Sequence, residues 1–257
     1  MAMISLTDED AQLASERLAN GCEVMERLLS GLLDAKGRIA EEVHAIRKLG
    51  KSLRGGFSLF RLGGNSAKEI QAIGRLLAGP RDAVSRLSTW EKLAWEGDAA
   101  AAIHGLLEQQ THSAARRPPA ETVAWCVARV TAARQNLLEL PPTELAGRLS
   151  TGLRKLDKQV TQRCNRLDRR GEEDFHDARK ALKAYLGALG FLPDGAVIPE
   201  AKWIDLPEIL GDENDLATLA TWLDQHGFTR NFVPTLWKKL GKSRARLRKR
   251  AIQDAVQ

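Results

Sequence analysis

His44, Arg47, Lys48 and Lys51 stand at spacings of three, four and seven residues from the histidine. On an α-helix, at about 100° per residue, these side chains fall within roughly a third of the circumference. The stripe is rich in N–H donors: a planar fork on the arginine, mobile ammonium groups on the lysines, and an imidazole that becomes cationic beside an anion. A mixture of that kind suits recognition of phosphate oxygens.

The same pattern occurs twice. Val43–Phe60 reads VHAIRKLGKSLRGGFSLF and Phe175–Leu192 reads FHDARKALKAYLGALGFL, which sets His176, Arg179, Lys180, Lys183 and Gly187 against His44, Arg47, Lys48, Lys51 and Gly55 at one constant offset. A repeat this long implies a duplicated structural unit. Ile46, Leu49, Leu53, Phe57 and Phe60 project on the far side of the first copy, as do Ala178, Ala181, Tyr185, Leu189 and Leu192 in the second. Each copy therefore reads as a helix with one face for a core and one displaying charge. A solvated surface is the plain alternative, but such faces interleave acids with bases, and no Asp or Glu lies between Val43 and Leu62. Arg54 belongs to this acid-free stretch. Two such faces suggest two walls of an anion site.

With LAGPRDAV (Leu77–Val84) after the first copy and LGDENDLATL (Leu210–Leu219) after the second, the chain resembles the conserved-histidine α-helical domain, CHAD, over nearly its whole length. The resemblance implies an all-α fold of two pseudo-symmetric four-helix bundles forming one domain, whose basic residues line a central cavity that binds inorganic polyphosphate. The family often has a further base eight residues after each histidine, where this chain has Ser52 and Ala184, and ten after the second, where it has Leu186.

The elements that must position the stripes are read as helices throughout. Thr7 followed by Asp8, Glu9 and Asp10 opens a helix to about Asp34, because a hydroxyl caps free amides and carboxylates suit the positive helix end. Gly37 breaks the chain before the first stripe helix, about 39–61. Gly63, Gly64, Asn65 and Ser66 turn it into a third, about Ser66–Ala78, and Gly79-Pro80 precedes a fourth reaching about Trp95, with Asp82 as a cap. Gly97-Asp98 starts a short helix, Thr111–Pro119 reads as a surface linker, and Ala120–Leu140 is amphipathic with Trp125 toward the core. Pro141-Pro142 divides an N-terminal helical half, about 1–140, from a C-terminal half, about 141–257, within one domain of 257 residues. The next helix, from Thr143 as cap to about Arg169, is rich in bases, of which Arg154 and Lys158 are chosen as further cavity residues. After the second stripe helix, about 172–192, and a loop over 193–202, GDEND is expected to form a turn capped by Asn214 or Asp215, followed by helices 214–226 and 233–255. Convincing period-two alternation is absent, so no sheet is expected.

The net charge of +6 is unevenly placed. Trp237–Arg250 contributes +8 without one acid, through residues that include Lys238, Lys239, Lys242, Arg246 and Arg250, leaving −2 for the rest. A local excess favours a local polyanion site. Cys22, Cys126 and Cys164 are odd in number and lack CxxC spacing, which argues against a disulfide framework or zinc site. No apolar run approaches the ~18 residues of a membrane span, and the acidic start is unlike a leader peptide; a cytoplasmic protein is expected, with polyphosphate granules as a place of association.

Catalytic motifs are missing. The GKS triplets at Gly50 and Gly241 lack the first glycine of a phosphate loop, where Ala45 and Leu236 stand instead, and no carboxylate cluster is evident to hold Mg²⁺ for phosphoryl transfer. Arg and Lys beside each histidine repel a divalent metal. No catalytic residue, metal or cofactor is therefore assigned. Trp90, Trp125, Trp203, Trp222 and Phe57 all fall at core spacing, leaving little to stack bases. The resulting reading is a non-enzymatic polyphosphate binder. Its alternatives are a nucleic-acid or nucleoid protein using the basic C-terminal helix, and a phosphate-handling enzyme working through His44 or His176.

Overall fold

The computed structural model describes residues 6–34, 39–62, 64–114, 117–167 and 171–256. All its regular elements are helices: α1 (Asp8–Gly31), α2 (Ile39–Leu59), α3 (Ser66–Leu76), α4 (Ala78–Leu93), α5 (Ala100–Ala114), α6 (Ala120–Leu138), α7 (Pro142–Cys164), α8 (Glu172–Leu189), α9 (Lys202–Gln225) and α10 (Pro234–Val256). The all-α fold class is as expected, and among the described residues none of these helices is long and apolar enough to cross a membrane.

Local chemistry starts α1 where the sequence indicates. Thr7 Oγ1 accepts from the Asp10 amide at 3.1 Å while Asp10 Oδ2 accepts from the Thr7 amide at 2.9 Å, a reciprocal capping box. The first stripe helix ends at Leu59, and Arg61 takes a left-handed backbone with φ 60°; the expected breaks at Gly37 and Gly63 lie outside the described residues.

Several expected boundaries are corrected. GDEND forms no turn: α9 runs unbroken from Lys202 to Gln225, because its acidic side chains find partners on other helices instead of capping amides. Asp82 stands inside α4, which already begins at Ala78, so it does not occupy the cap position. Thr111 lies within α5, which continues to Ala114, and Pro142 is the first residue of α7, where its missing N–H is no loss, so Thr143 is not the cap. Trp125 is 38 % exposed rather than in the core. The buried stripe of α6 is Val123, Cys126, Val130, Ala133 and Leu137; Trp125 flanks it and packs its ring under the Arg129 guanidinium at 5.0 Å.

The chain forms two compact units, each assembled from separated segments. The first comprises Met1–Ala78, Arg117–Gln162 and Lys180–Glu200, and the second Gly79–Arg116, Arg163–Arg179 and Ala201–Gln257. In the first, Leu18, Met25, Ile46, Leu53, Phe57 and Tyr185 are fully enclosed. In the second, Trp90, Leu107, Leu219, Trp222, Leu236 and Leu240 belong to one apolar cluster. Full burial of side chains this size stabilises by about 1.5–3 kcal/mol each.

Candidate functional site

The two stripes have matching environments. His44 and His176 are exposed, Arg47 and Arg179 half-buried, Lys48 and Lys180 exposed, and Lys51 and Lys183 half-buried. Behind them, Val43, Ile46 and Leu53 are buried, as are their counterparts Phe175, Ala178 and Tyr185. The period of the duplicated sequence thus fixes which face each helix buries.

Within the first unit the stripe helices meet at glycine. Gly55 lies eleven residues after His44, just over three full turns, and so shares the cationic face. A Cβ there would meet the Ala184 carbonyl and stand 2.8 Å from the Ala188 amide nitrogen; a Cβ on Gly187 would lie 2.8 Å from Ser52 Cα. Under the offset of the repeat, Ser52 corresponds to Ala184 and Gly55 to Gly187, so the contact is reciprocal. It also gives a reason for small residues at Ser52 and Ala184, since both sit where backbones approach closely. Because Gly55 and Gly187 lie on the charged faces, the close approach turns the Lys51 and Lys183 ends of the stripes toward one crossing.

The first stripe also contacts the end of α3. Arg47 Nη1 donates to the Gly74 carbonyl at 2.5 Å, which places a cation at the negative end of that helix. Arg75, on the same last turn, is close enough to Arg54 to matter. Burial, reinforced by the like charge of Arg75, depresses the basicity of the Arg54 guanidinium. Arg75 escaped the sequence reading because a base in a last helical turn has an ordinary dipole explanation.

The bases of α7 divide differently. Arg154 and Lys158 are exposed, on the face opposite Leu149, Leu153, Leu156 and Val160, and Arg154 folds back on its own helix, donating to Ser150 and Thr151. Neither joins α2. Lys155 does face a cavity of about 320 Å³, which Ser58, Arg61 and Gln159 also line.

In the second unit, α10 splits its charge between structure and surface. Arg244 and Arg248 both reach Glu213, whose Oε1 accepts at 2.7 to 3.0 Å, and both donate to Glu172 Oε1 at 2.6 and 3.1 Å. Glu213 is 4 % exposed, so this pairing is what permits its burial. Arg244's hydrogen bond and charge, with Arg248 behind them, hold the Glu172 carboxyl below its usual range against a smaller opposing effect of burial. Lys238, Lys242 and Arg246 are exposed on the face opposite the buried Leu236 and Leu240. Lys239 donates to the Ala94 carbonyl, and Arg250 pairs with Asp254 at 3.7 Å.

His176 is held from behind. Its Nδ1 lies 3.1 Å from Asn214 Oδ1; Asn214 Nδ2 donates to Asp215 Oδ1 at 3.4 Å, and Ser85 Oγ donates to Asp215 Oδ2 at 3.3 Å. Ser85 of α4, the residue after the first of the two motifs, thus meets the second motif on α9. Among the described residues no three His, Cys, Asp or Glu side chains gather as a metal site.

The CHAD domain family model matches residues 18–224. The chain belongs to the CHAD domain family. The fold is similar to that of PptA from Streptomyces chartreusis, with a TM-score of 0.54 at 14 % identity, covering 94 % of this chain and 98 % of that one. No curated protein matches in sequence. In this CHAD chain the basic helix α10 begins beyond the matched residues.

Proposed function

We propose that this CHAD chain binds inorganic polyphosphate without turning it over, through the stripes of α2 and α8. The reciprocal approach of Gly55 and Gly187 carries this reading: it supports the participation of both repeats in one binding event. Arg54 beside Arg75 adds to it, because the exposed Arg75 repels the half-buried Arg54 in the free protein and a polyanion relieves that repulsion. His44, Arg47, Lys48, Lys51, Arg54, His176, Arg179, Lys180 and Lys183 are the proposed ligand contacts. A cytoplasmic setting with access to polyphosphate granules accompanies the proposal.

The test is competition of labelled polyphosphate against single- and double-stranded nucleic acid of equal charge. Polyphosphate should win, with an affinity that falls steeply as salt rises through counterion release. Preference for nucleic acid would overturn the reading. Replacing Arg47 and Lys51 by Ala should weaken binding about as much as replacing Arg179 and Lys183, each lost phosphate contact lowering the salt slope by roughly one. Two independent steps in calorimetry, each lost with its own repeat, would show separate surfaces. With Mg²⁺ present, polyphosphate and nucleoside triphosphates should release no phosphate above background; release abolished by His44→Ala or His176→Ala would instead favour an enzyme.

A second reading has its own observation. Phe232, just before α10, is exposed at 68 % and offers a ring for base stacking, while Lys238, Lys242 and Arg246 line the outer face of α10. Nucleic acid bound through α10 would survive loss of both stripes and weaken when those three bases are replaced by Ala.

A further inference from the structure

Asn214 determines which hydrogen His176 can offer. A side-chain amide has an acceptor end and a donor end, and the direction of Asn214 follows from its neighbours. Asp215 ionised accepts only, so the NH₂ end of Asn214 must face it, at 3.4 Å. Ser85 donates to the other oxygen of the same carboxylate at 3.3 Å, which holds that acceptor in place. With the amide flipped, two acceptors would oppose each other. The oxygen end of Asn214 therefore faces His176, and the ring nitrogen opposite it at 3.1 Å, Nδ1, must carry hydrogen. In the neutral ring Nε2 is then a bare acceptor.

An acceptor cannot bond a phosphate oxygen. We infer that Asn214 is a positioning residue that locks His176 in the Nδ1–H tautomer, so that His176 engages a phosphate only by taking up a proton. In the bound state Nδ1–H still donates to Asn214, while the proton acquired from solvent sits on Nε2 and donates to the phosphate oxygen. One proton enters for each such contact. This inference rests on the polyphosphate reading for its ligand, but the lock itself belongs to the free protein.

The charges around the ring do not select a tautomer. On α8, Glu172 and Glu173 lie one turn before His176, Arg179 and Lys180 one turn after, and the adjacent Asp177 is paired with Arg163 at 2.9 Å. From α9, Asp212 and Asp215 flank the asparagine, and Glu213 is engaged by Arg244 and Arg248 of α10. From α4 come Ser85 and, one turn earlier, Asp82. Both signs surround the imidazole, so the directed hydrogen bond decides.

Two measurements test this. Long-range ¹H–¹⁵N spectra of the free protein, at a pH where the His176 ring is neutral in those spectra, should show hydrogen on Nδ1. In Asn214→Ala it should move to Nε2, and Asp215→Asn, which frees the amide to turn, should shift it partly. Calorimetry of inorganic polyphosphate binding at that pH, in buffers of different ionisation enthalpy, should find about one proton fewer taken up by Asn214→Ala than by the wild type. His176→Gln, which keeps a neutral donor, should lose the same proton. Hydrogen on Nε2 in the wild type, or equal proton uptake in wild type and Asn214→Ala, overturns the inference. Nδ1–H without any polyphosphate binding leaves the lock standing and overturns the ligand instead.

Discussion

Gly55 and Gly187 each stand against the backbone of the other's helix, at equivalent positions of the repeat, with 2.8 Å between a would-be Cβ on Gly187 and Ser52 Cα. Alanine normally gains about 0.5–1 kcal/mol over glycine inside a helix. Here the methyl group must push backbones apart. Gly55→Ala and Gly187→Ala should each destabilise by about 1–3 kcal/mol despite that gain. Gly105→Ala in α5, where nothing lies within 4 Å, should stabilise slightly. Denaturant midpoints of the three variants decide, and stabilisation by all three would remove the close crossing.

Arg54 and Arg75 should respond oppositely in the free and bound protein. Arg75→Glu converts repulsion of the half-buried Arg54 into attraction and should raise the melting temperature without ligand. It should also weaken polyphosphate binding, because a negative charge beside Arg54 opposes the polyanion. Melting curves with and without polyphosphate read both effects.

Glu213 is enclosed by Arg244 and Arg248, so Glu213→Leu leaves two half-buried cations with only the exposed Glu172 to share. The loss should be about 3–5 kcal/mol, measured by chemical denaturation.

Glu172 gives the same cluster an acid limb. Its folded-state pKa lies below the unfolded value of about 4.3, so its contribution is complete above that value and disappears as pH falls through the lower folded value. Glu172→Gln should flatten the stability profile below about pH 4 and leave its shape near neutrality unchanged. An unaltered acid limb would show that the ion pairs do not persist in solution.

Burial pushes the thiols of Cys22 and Cys164 up to about 12 and that of Cys126 to about 11. A thiol reagent at pH 8 should therefore label the folded protein very slowly and all three cysteines at once in urea. Rapid labelling without denaturant would reveal local opening.

The sequence made the cationic faces legible because a helical period and an acid-free stretch belong to the chain itself. His44, Arg47 and Lys51 needed no tertiary information, nor did the Thr7 capping box. Glu213, Asn214 and Asp215 misled for the converse reason. Their composition favours a turn, and only Arg244 from α10, His176 from α8 and Ser85 from α4 make a helix through them satisfactory. Trp125 was misassigned because its distance from the buried stripe of α6 is a matter of about one residue's rotation. Gly55 and Gly187 were visible as a repeated pair, but their contact was not, since periodicity gives the faces of a helix and not its neighbour.

The segmented first unit has a consequence for biosynthesis. Its α1 and α2 leave the ribosome early, yet Phe191, which lies against Gly21 and Gly56, belongs to its last segment, Lys180–Glu200. At 5–20 residues per second, roughly ten seconds of translation separate the two. Throughout that interval the nascent chain carries the apolar faces of Leu18 and Leu53 without their final cover, so the period of greatest exposure to chaperones and aggregation falls before residue 200 is made.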